Sequence, residues 1–369
     1  MVEWKTIGDI LAVHTGKQLN RSGLSEVGAY PVINGGRTPS GYSDSHNENK
    51  NSITISQGGE SAGFVNWIDT AFWAGSHCYV VENINNQNLR FLFHLLKKYE
   101  YEIMESKQGA GIPGLNRKNL YSILVPIPSV SEQNRIVGIL DTFTDSIENL
   151  KQQIAQRRKQ YEFYRDQLLD LEGKEGVEMK TLGESSILIS DGDHQPPPKS
   201  QQGIPFITIS NINKDNHKID FSNTYYVPSD YYESLKNERK AIEGDVLYTV
   251  TGSYGIPVII DFTDKFCFQR HIAMIRPNIK VLISKFLYHC LLTRGLKKQA
   301  DEYASGGAQK TVSLSSLRKF VIPVPSLSEQ QRIVSILDTF EASISNLEAQ
   351  LAQRQKQYEY YRNKLLTFE

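Results

Sequence analysis

One segment occurs twice in this chain: SEQNRIVGILDTF occupies residues 131–143 and SEQQRIVSILDTF occupies residues 328–340. A shift of 197 positions aligns residues 126–172 with 323–369 without a gap, and roughly two-thirds of the aligned positions are identical. A repeat this strong indicates two copies of one structural element. The sequence that precedes each copy then belongs to two separate modules.

Apolar residues in both copies recur at alternating spacings of four and three, which is the a/d pattern of a coiled coil. The predicted seam consists of Ile136, Leu140, Phe143, Ile147, Leu150, Ile154, Tyr161 and Leu168 in the first copy and Ile333, Leu337, Phe340, Ile344, Leu347, Leu351, Tyr358 and Leu365 in the second. So narrow a seam favours two helices paired with each other over two surface helices that each pack on their own domain. Because each half runs from domain to helix, the pairing would be antiparallel and the halves pseudo-twofold related.

The helix ends and the polar interruptions of the seam also lead to expectations. A Pro-x-Pro-Ser entry makes Ser131 and Ser328 candidate N-caps, and Gly173 is predicted to stop the first helix together with Gly176. Arg157 and Arg354 interrupt the seam at equivalent positions. Each arginine either fixes the register of the pair or extends along its apolar stem to solvent, and the sequence leaves both interpretations open.

Two less similar segments, residues 8–125 and 184–322, precede the repeated copies. Each has a Pro-Val-Ile or Pro-Phe-Ile strand, a His-bearing aromatic strand and a predicted amphipathic helix, near 88–104 and 284–303. A Gly-rich loop follows that helix, at 109–114 and at 305–308. The pattern predicts an α+β protein with two mixed α/β domains.

Composition excludes several classes of protein. The chain has 41 Lys and Arg against 41 Asp and Glu, so no uniformly basic surface covers it, although local basic patches remain possible. Three cysteines without a CxxC pair fit a reducing compartment better than a disulfide framework. The N-terminal sequence lacks a signal-peptide pattern, and no apolar run is long enough to span a membrane. We therefore expect a cytoplasmic protein without a membrane partner.

Motifs for catalysis are missing from the sequence. There is no GxxxxGK[ST] phosphate loop, no GxSxG, and no Asn/Asp-Pro-Pro-aromatic motif of the kind that amino-methyltransferases use. His77-Cys78 and His289-Cys290 are adjacent pairs whose side chains diverge, so they are poor metal ligands. We predict a non-catalytic chain with no catalytic residues, no metal site and no cofactor of its own.

Polar, Gly-rich and locally basic loops suggest DNA binding. Arginine can bridge guanine, Gln and Asn can bridge adenine, and Lys, Ser and Thr contact bases or phosphates. The alternative is that these loops are ordinary solvated turns. The candidate DNA-binding residues are Arg37, Thr38, Gln57, Lys107, Asn116, Arg117, Lys118, Lys199, Thr251, Ser253, Tyr254, Gln269, Arg270, Gln309, Lys310 and Thr311.

The arrangement resembles the DNA specificity subunit of a type I restriction–modification system. The resemblance covers essentially the whole chain and depends on the duplicated PxPSxSEQxRIVxILDTF segments with their QYEFYR and QYEYYR continuations. It implies two target recognition domains, at 1–130 and 174–325, and two conserved spacer helices, at 131–173 and 326–369. These helices would form an antiparallel coiled coil that sets the gap between two half-sites of an asymmetric, bipartite target.

The same resemblance implies the partners. They are double-stranded DNA, two methyltransferase subunits and restriction/translocase subunits, with S-adenosylmethionine, ATP and Mg²⁺ bound on those subunits and no cofactor on this chain. The rival interpretation is a coiled-coil interaction scaffold without DNA specificity. The polar, locally basic loops argue against that rival.

Overall fold

The computed structural model describes residues 2–108, 113–307 and 309–368. Most of the predicted loop at 109–114, and position 308 of the second loop, lie outside the described residues. The chain divides into two compact units. Unit 1 comprises residues 1–152 and 348–369, and unit 2 comprises residues 153–347. Each unit therefore combines one globular region with portions of both long helices.

Unit 1 contains two sheets and a two-stranded ribbon. Its strands are β1 (Glu3–Thr6), β2 (Leu11–Thr15), β3 (Tyr30–Ile33), β4 (Tyr42–Ser43), β5 (Ser52–Ser56), β6 (Val65–Ile68), β7 (Trp73–Ala74), β8 (Cys78–Asn83) and β9 (Leu124–Ile127). Its helices are α1 (Ile7–Ile10), α2 (Leu89–Lys98), α3 (Glu100–Glu105), α4 (Arg117–Tyr121) and the first part of the long α5 (Val130–Leu168), with a 3₁₀ turn at Arg21–Gly23. The order β2-β8-β5-β6 forms an antiparallel sheet, β4-β3-β7 forms a second sheet, and β1 pairs with β9.

Unit 2 repeats this plan with one additional hairpin and one additional short helix. Its strands are β10 (Glu178–Thr181), β11 (Ser186–Asp191), β12 (Ile204–Ile207), β13 (Ile212–Asn213), β14 (Lys218–Ile219), β15 (Tyr225–Val227), β16 (Val246–Thr249), β17 (Pro257–Ile259), β18 (Cys267–Phe268), β19 (Ile272–Pro277) and β20 (Val321–Val324). Its helices are α6 (Leu182–Ser185), α7 (Ser229–Ser234), α8 (Ser284–Leu291), α9 (Arg294–Tyr303), α10 (Leu314–Leu317) and the first part of the long α11 (Leu327–Leu365), with 3₁₀ turns at Ile209–Asn211 and Asn237–Arg239. The sheets are β11-β19-β16-β17 and β15-β12-β18, and β10 pairs with β20.

A ribbon in each unit leads directly into a long helix. β1 runs antiparallel to β9, and β10 runs antiparallel to β20, in the same register. The helices begin at Val130 and Leu327, and the capping hydroxyls belong to Ser129 and Ser326, which accept from the backbone N–H of the glutamate three residues on. The prediction of capping at Ser131 and Ser328 is therefore wrong by two residues, because the S-x-x-E spacing of a cap starts at the earlier serine.

Two other predicted helix boundaries also differ from the structure. α5 ends at Leu168, before Gly173 and Gly176, because the next apolar residues, Leu169 and Leu171, turn into the core of unit 2. The two glycines adopt positive φ in the following turns. Each predicted amphipathic helix is a pair of helices, α2 with α3 and α8 with α9. In unit 2 the break falls at Thr293, whose extended backbone and side-chain hydroxyl cap α9.

The starts of the long helices belong to the domain cores. Ile136 and Leu140 of α5 are fully buried in the core of unit 1, and Ile333 and Leu337 of α11 are fully buried in that of unit 2. Every other predicted seam residue is buried or half-buried. The seam therefore serves the domain core as well as the helix pair.

The two long helices pack together in antiparallel fashion. In unit 1, Phe143 near the start of α5 stacks on Tyr361 near the end of α11, with ring centroids 5.1 Å apart. In unit 2, Tyr164 and Phe340 stack in the same way at 5.5 Å. The guanidinium of Arg354 lies over Phe143, and that of Arg157 lies over Phe340, at 5.7 and 5.9 Å. Both seam arginines thus contact the opposing helix, as expected of residues that fix register.

A buried histidine of each globular region lies against the long helices. In unit 1, His94 of α2 bonds Tyr358 of α11 through Nδ1 at 2.9 Å and Asp141 of α5 through Nε2 at 2.8 Å. Burial raises the pKa of Tyr358 to about 12, so its hydroxyl stays protonated. In unit 2, His289 of α8 bonds Tyr161 of α5 through Nδ1 at 3.0 Å. We call these the His94 link and the His289 link.

Candidate nucleic-acid interface

Three loops meet at one end of the four-stranded sheet of unit 1. The backbone N–H of Gln57 donates to the His77 carbonyl at 2.9 Å, and the N–H of Leu115 donates to the Gln57 carbonyl at 2.8 Å. These bonds tie together the loop after β5, the loop before β8 and the loop before α4. We call this arrangement a loop junction, because one residue holds both neighbouring loops.

Unit 2 has the same loop junction at equivalent places. The N–H of Val250 donates to the His271 carbonyl at 2.9 Å, and the N–H of Val312 donates to the Val250 carbonyl at 2.8 Å. Gln57 and Val250 are thus equivalent in backbone role although their side chains have nothing in common. The fold fixes the loops and leaves their side chains free to differ.

Most of the candidate residues of unit 1 are exposed around its junction. Arg37 and Thr38 are exposed in the loop after β3, and the Arg37 guanidinium lies 5.4 Å over the ring of Phe64. Asn116 caps α4 by accepting from the Asn119 N–H at 2.8 Å, and Arg117 donates to the Thr15 hydroxyl at 3.3 Å. Lys118 is exposed, whereas Gln57 and Lys107 are half-buried. The junction brings cations and amides from separate segments together.

The candidate residues of unit 2 divide into exposed and supporting groups. The exposed ones are Lys199, Ser253, Arg270, Gln309 and Lys310. Thr251 is buried and its hydroxyl accepts from that of Thr311, while Tyr254 donates to Asp301 at 2.8 Å. These three side chains therefore hold the loops in place, and Gln269 is bonded to His271 at 2.7 Å.

An open cleft of about 360 Å³ lies at the junction of unit 2. It is lined by Asp191, Val250, Thr251, Arg270, His271, Gln309, Thr311, Val312, Ser313 and Leu314. Burial and the charge of Arg270 lower the pKa of His271 from 6.5, so its imidazole is neutral at pH 7. A neutral imidazole can either donate or accept a hydrogen bond at a base edge.

Sequence reasoning missed His271 and Asp191 as residues of this cleft. His271 is half-buried and faces the cleft, and its equivalent His77 is exposed. The available signal was position: both histidines immediately precede a core strand, where side chains leave the sheet.

Residues 294–319 are rich in lysine and arginine, but several of these cations are already engaged within the protein. Arg294 pairs with Asp166 at 3.4 Å, Lys298 lies 3.9 Å from Glu302, and Arg318 donates to the Ile189 carbonyl. Within the described parts of the chain, Lys310 and Arg270 have no carboxylate partner. Both cations therefore remain available beside the loop junction of unit 2.

The comparisons with known proteins fit this geometry. The family model for the type I restriction modification DNA specificity domain matches residues 1–157 and again 177–355. The chain belongs to this family. It is a DNA specificity subunit of a type I restriction–modification system, a non-catalytic subunit of a kind that generally lacks cofactors.

Relatives and solved structures agree over nearly the whole chain. The Escherichia coli EcoR124I/EcoR124II specificity subunit is 30% identical over 325 residues, covering 82% of this chain and 77% of its own. The crystal structure of the S subunit of a type I system from Mycoplasma genitalium has a TM-score of 0.63 at 20% identity, covering 100% and 97% of the two chains. A chain from a structural study of type I complex assembly has a TM-score of 0.55 at 19% identity, covering 99% and 97%. The predicted fold of two α/β domains with paired long helices is confirmed.

Proposed function

We propose that each globular half of this specificity subunit reads one half of an asymmetric, bipartite DNA target. The observation that carries the proposal is the repeated loop junction, which presents different side chains from the same backbone bonds. A repeated scaffold with unlike side chains suits two readers of unlike sequences. The proposed boundaries are 1–130 and 174–325 for the recognition domains and 131–173 and 326–369 for the spacer helices.

In unit 2 the reading surface is the cleft beside Val250. Gln309 can form the bidentate pair with adenine, and Arg270 can form the one with guanine. Lys310 is the candidate for a phosphate contact, because it is exposed and has no carboxylate partner among the described residues. Neutral His271, bonded to Gln269, adds a polar group whose hydrogen bonding depends on its tautomer.

In unit 1 the reading surface is the set of loops around Gln57. Arg37 and Gln57 are the candidates for base contacts, and Asn116 at the start of α4 is a third. Lys107, Arg117 and Lys118 are the candidates for phosphate contacts, since cations of a helix start and its preceding loop can track a DNA backbone. The described loop residues of both surfaces thus include arginine, lysine and amide side chains, but these lie at different positions in the two units.

The paired helices have two roles in this proposal. They set the gap between the half-sites, and they offer equivalent docking surfaces to two methyltransferase subunits. Support for the second role comes from Phe163 and Tyr360, which occupy equivalent positions in the repeats and are 62% and 60% exposed. Large exposed aromatics mark protein contacts, and a duplicated patch suits two copies of one partner.

Catalysis belongs to the partner subunits in this proposal. S-adenosylmethionine would bind the methyltransferase subunits, and ATP and Mg²⁺ would bind the restriction/translocase subunits. The complex would work in the cytoplasm, where its DNA lies. None of the helices described here has the length and apolar character needed to cross a membrane.

Mapping of methylated bases tests the proposal directly. Methylation is mapped at single-base resolution in a host that carries this chain with its partner methyltransferase, and in a matched host that lacks only this chain. We expect a split, asymmetric motif that disappears in the second host. A pattern indifferent to the chain would favour the interaction scaffold instead.

Two substitutions assign the half-sites. Gln309→Ala should relax one position in one half-site, and Arg37→Ala should relax one position in the other, each costing about 1–3 kcal/mol of discrimination. Uniform loss of methylation at all related sites would instead reassign these side chains to the DNA backbone.

A further inference from the structure

The His289 link has an unused nitrogen. His289 is fully buried, and its Nδ1 is bonded to the Tyr161 hydroxyl. Its Nε2 is also buried and has no hydrogen-bond partner among the described residues, and neither has the buried Oδ1 of Asp338, which lies 3.5 Å away. A buried donor or acceptor without a partner costs free energy, so this pair of atoms calls for an explanation.

A second carboxylate lies beside this pair. Asp338 and Glu341 are three residues apart on α11 and therefore project from the same side of the helix. One ligand atom from each of His289, Asp338 and Glu341 lies within 4.8 Å of the other two. Imidazole nitrogen with two carboxylate oxygens is a ligand set that suits divalent transition ions such as Zn²⁺.

The equivalent cluster in unit 1 lacks these features. Asp141 matches Asp338 in the repeat, but Thr144 stands where unit 2 has Glu341. Both ring nitrogens of His94 are engaged, and Arg90 donates to Asp141 at 2.8 Å and to the Thr144 hydroxyl at 2.9 Å. Unit 1 therefore fills its link with protein hydrogen bonds, whereas in unit 2 His289 Nε2 and Asp338 Oδ1 have no hydrogen bond among the described residues.

We propose that His289, Asp338 and Glu341 form a binding site for one divalent transition-metal ion of the Zn²⁺ class. The 3.5 Å between Nε2 and Oδ1 is close to the roughly 3.4 Å that separates two ligands of a tetrahedral ion with bonds of about 2.1 Å. Water completes the coordination on the exposed side, because the Asp338 side chain is 47% exposed.

Tyr161 orients the histidine for this role. With the proton on Nδ1, His289 donates to the Tyr161 oxygen and presents Nε2 to the metal ion. The Tyr161 hydroxyl in turn donates to Glu341 Oε1 at 3.4 Å. One hydroxyl thereby connects two of the three ligands, as outer-shell groups of metal sites commonly do.

Lys285 is the resident cation that a metal ion would replace. Its Nζ lies 2.7 Å from Glu341 and 3.4 Å from Asp338. The side chain is 29% exposed and has a flexible stem, so the ammonium can move to solvent when a dication takes its place. The bound ion would fasten α8 of the recognition domain to α11.

The experiment measures metal binding to the full chain in the absence of DNA, so its outcome is independent of the proposed DNA recognition. The chain is freed of metal with a chelator and titrated with Zn²⁺ by calorimetry, and the absorption of Co²⁺ reports the coordination geometry. We expect one ion per chain. Tyr161→Phe should weaken binding about tenfold or more, as expected for an outer-shell group.

Matched variants locate the ion. His289→Gln and Glu341→Thr should abolish it, whereas His94→Gln in the equivalent link should leave the stoichiometry unchanged. Glu341→Thr reproduces the residue that unit 1 carries at this position, and Glu341→Gln is the second choice if that variant fails to fold. Lys285→Met removes the competing ammonium and should tighten binding roughly fivefold.

Three results would overturn the proposal. They are no bound Zn²⁺ in the unaltered chain, one ion that persists in both Glu341 variants, or binding that appears only after Lys285→Met. The last result would mean that lysine permanently occupies the site in the natural chain.

Discussion

The His94 link of unit 1 and the His289 link of unit 2 occupy equivalent places but use their polar atoms differently. The helix repeat supplies a tyrosine and an aspartate to both links, namely Tyr358 with Asp141 and Tyr161 with Asp338. The variable domains supply Arg90 in one link and Lys285 in the other. The Arg90 guanidinium has several donors in a planar fork and bonds both Asp141 and Thr144, whereas the Lys285 ammonium is a point charge without a fixed donor geometry.

The loop junctions provide the complementary comparison. There the backbone bonds are the same and the side chains differ, as with Gln57 and Val250. The links hold each domain on the helices, and the junctions hold the loops on the domain. Selection on DNA specificity would therefore change junction side chains while leaving the scaffold unaltered.

The largest expected effect tests whether the long helices are part of both domain cores. Leu140→Ala and Leu337→Ala remove equivalent, fully buried leucines, and each should lower the free energy of unfolding by about 2–5 kcal/mol. Urea unfolding of the full chain measures the loss. Ile139→Ala on the half-buried side of α5 is the control, and an equally small effect of both leucine variants would contradict the shared cores.

The next prediction compares the two aspartates. Asp141→Asn should lower the free energy of unfolding by about 1–3 kcal/mol, because Arg90 and His94 both lose a charged acceptor. With a chelator present, Asp338→Asn should lower the free energy of unfolding by less than about 1 kcal/mol. Lys285 and His289 lie 3.4 and 3.5 Å from this carboxylate, and about half of its side chain is exposed. Urea unfolding at pH 7 measures both, and equal losses would mean that the links are energetically alike.

A pH series sharpens the comparison at His94. Burial, assisted by the charge of Arg90, lowers the pKa of His94 below 6.5 despite its bond to Asp141. The contribution of neutral His94 is therefore complete above pH 6.5 and is lost as the pH falls through the lowered pKa. The stability advantage of the natural chain over His94→Gln should shrink on acidification, measured by urea unfolding between pH 7.5 and 5. A constant difference would exclude titration of His94.

Protonation of Asp141 should also lower the stability of the chain on acidification, at a lower pH than the titration of His94. Although its burial opposes the effect, bonds from His94 and Arg90 lower the pKa of Asp141. Its contribution to stability is thus present at neutral pH and lost as the pH falls below about 4.

The smallest expected effect concerns a single phosphate contact. Lys310→Ala should weaken DNA binding and reduce the slope of log K against log salt by about 0.9, if Lys310 neutralises one phosphate. Lys298→Ala is the matched control, because that lysine already lies 3.9 Å from Glu302. Binding by the complex with methyltransferase is measured across a salt series, and an unchanged slope for Lys310→Ala would remove it from the interface.

Much of the architecture was predictable from the repeat. The four-and-three spacing of apolar residues reports a helix face directly, and two matching faces in one chain imply that they pair. The helix starts were predicted two residues late, because the S-x-x-E spacing that selects Ser129 and Ser326 as caps was not weighed against the later serines. The break between α8 and α9 was not predicted either, since a threonine can also lie inside a helix. Only the structure shows that the backbone of Thr293 is extended.

The candidate interface was only partly accessible. Exposed cations such as Arg270 and Lys310 can be recognised in the sequence as candidates. The burial of Thr251, in contrast, is not visible in any local sequence pattern. Asp191 and His271 meet in the cleft only because β11 and β19 lie side by side. Residues far apart in the chain become neighbours through strand pairing, which local sequence does not encode.

By itself, the sequence determined the duplicated helices, their antiparallel pairing and the family, because periodicity and repetition are properties of the linear chain. Tertiary structure alone decided which side chains complete each link and which loops meet at each junction. Those contacts join α2 or α8 to both long helices, and their atoms come within bonding distance only after the domains pack. That is why His289, an unremarkable neighbour of Cys290 in the sequence, lies beside two carboxylates in the fold.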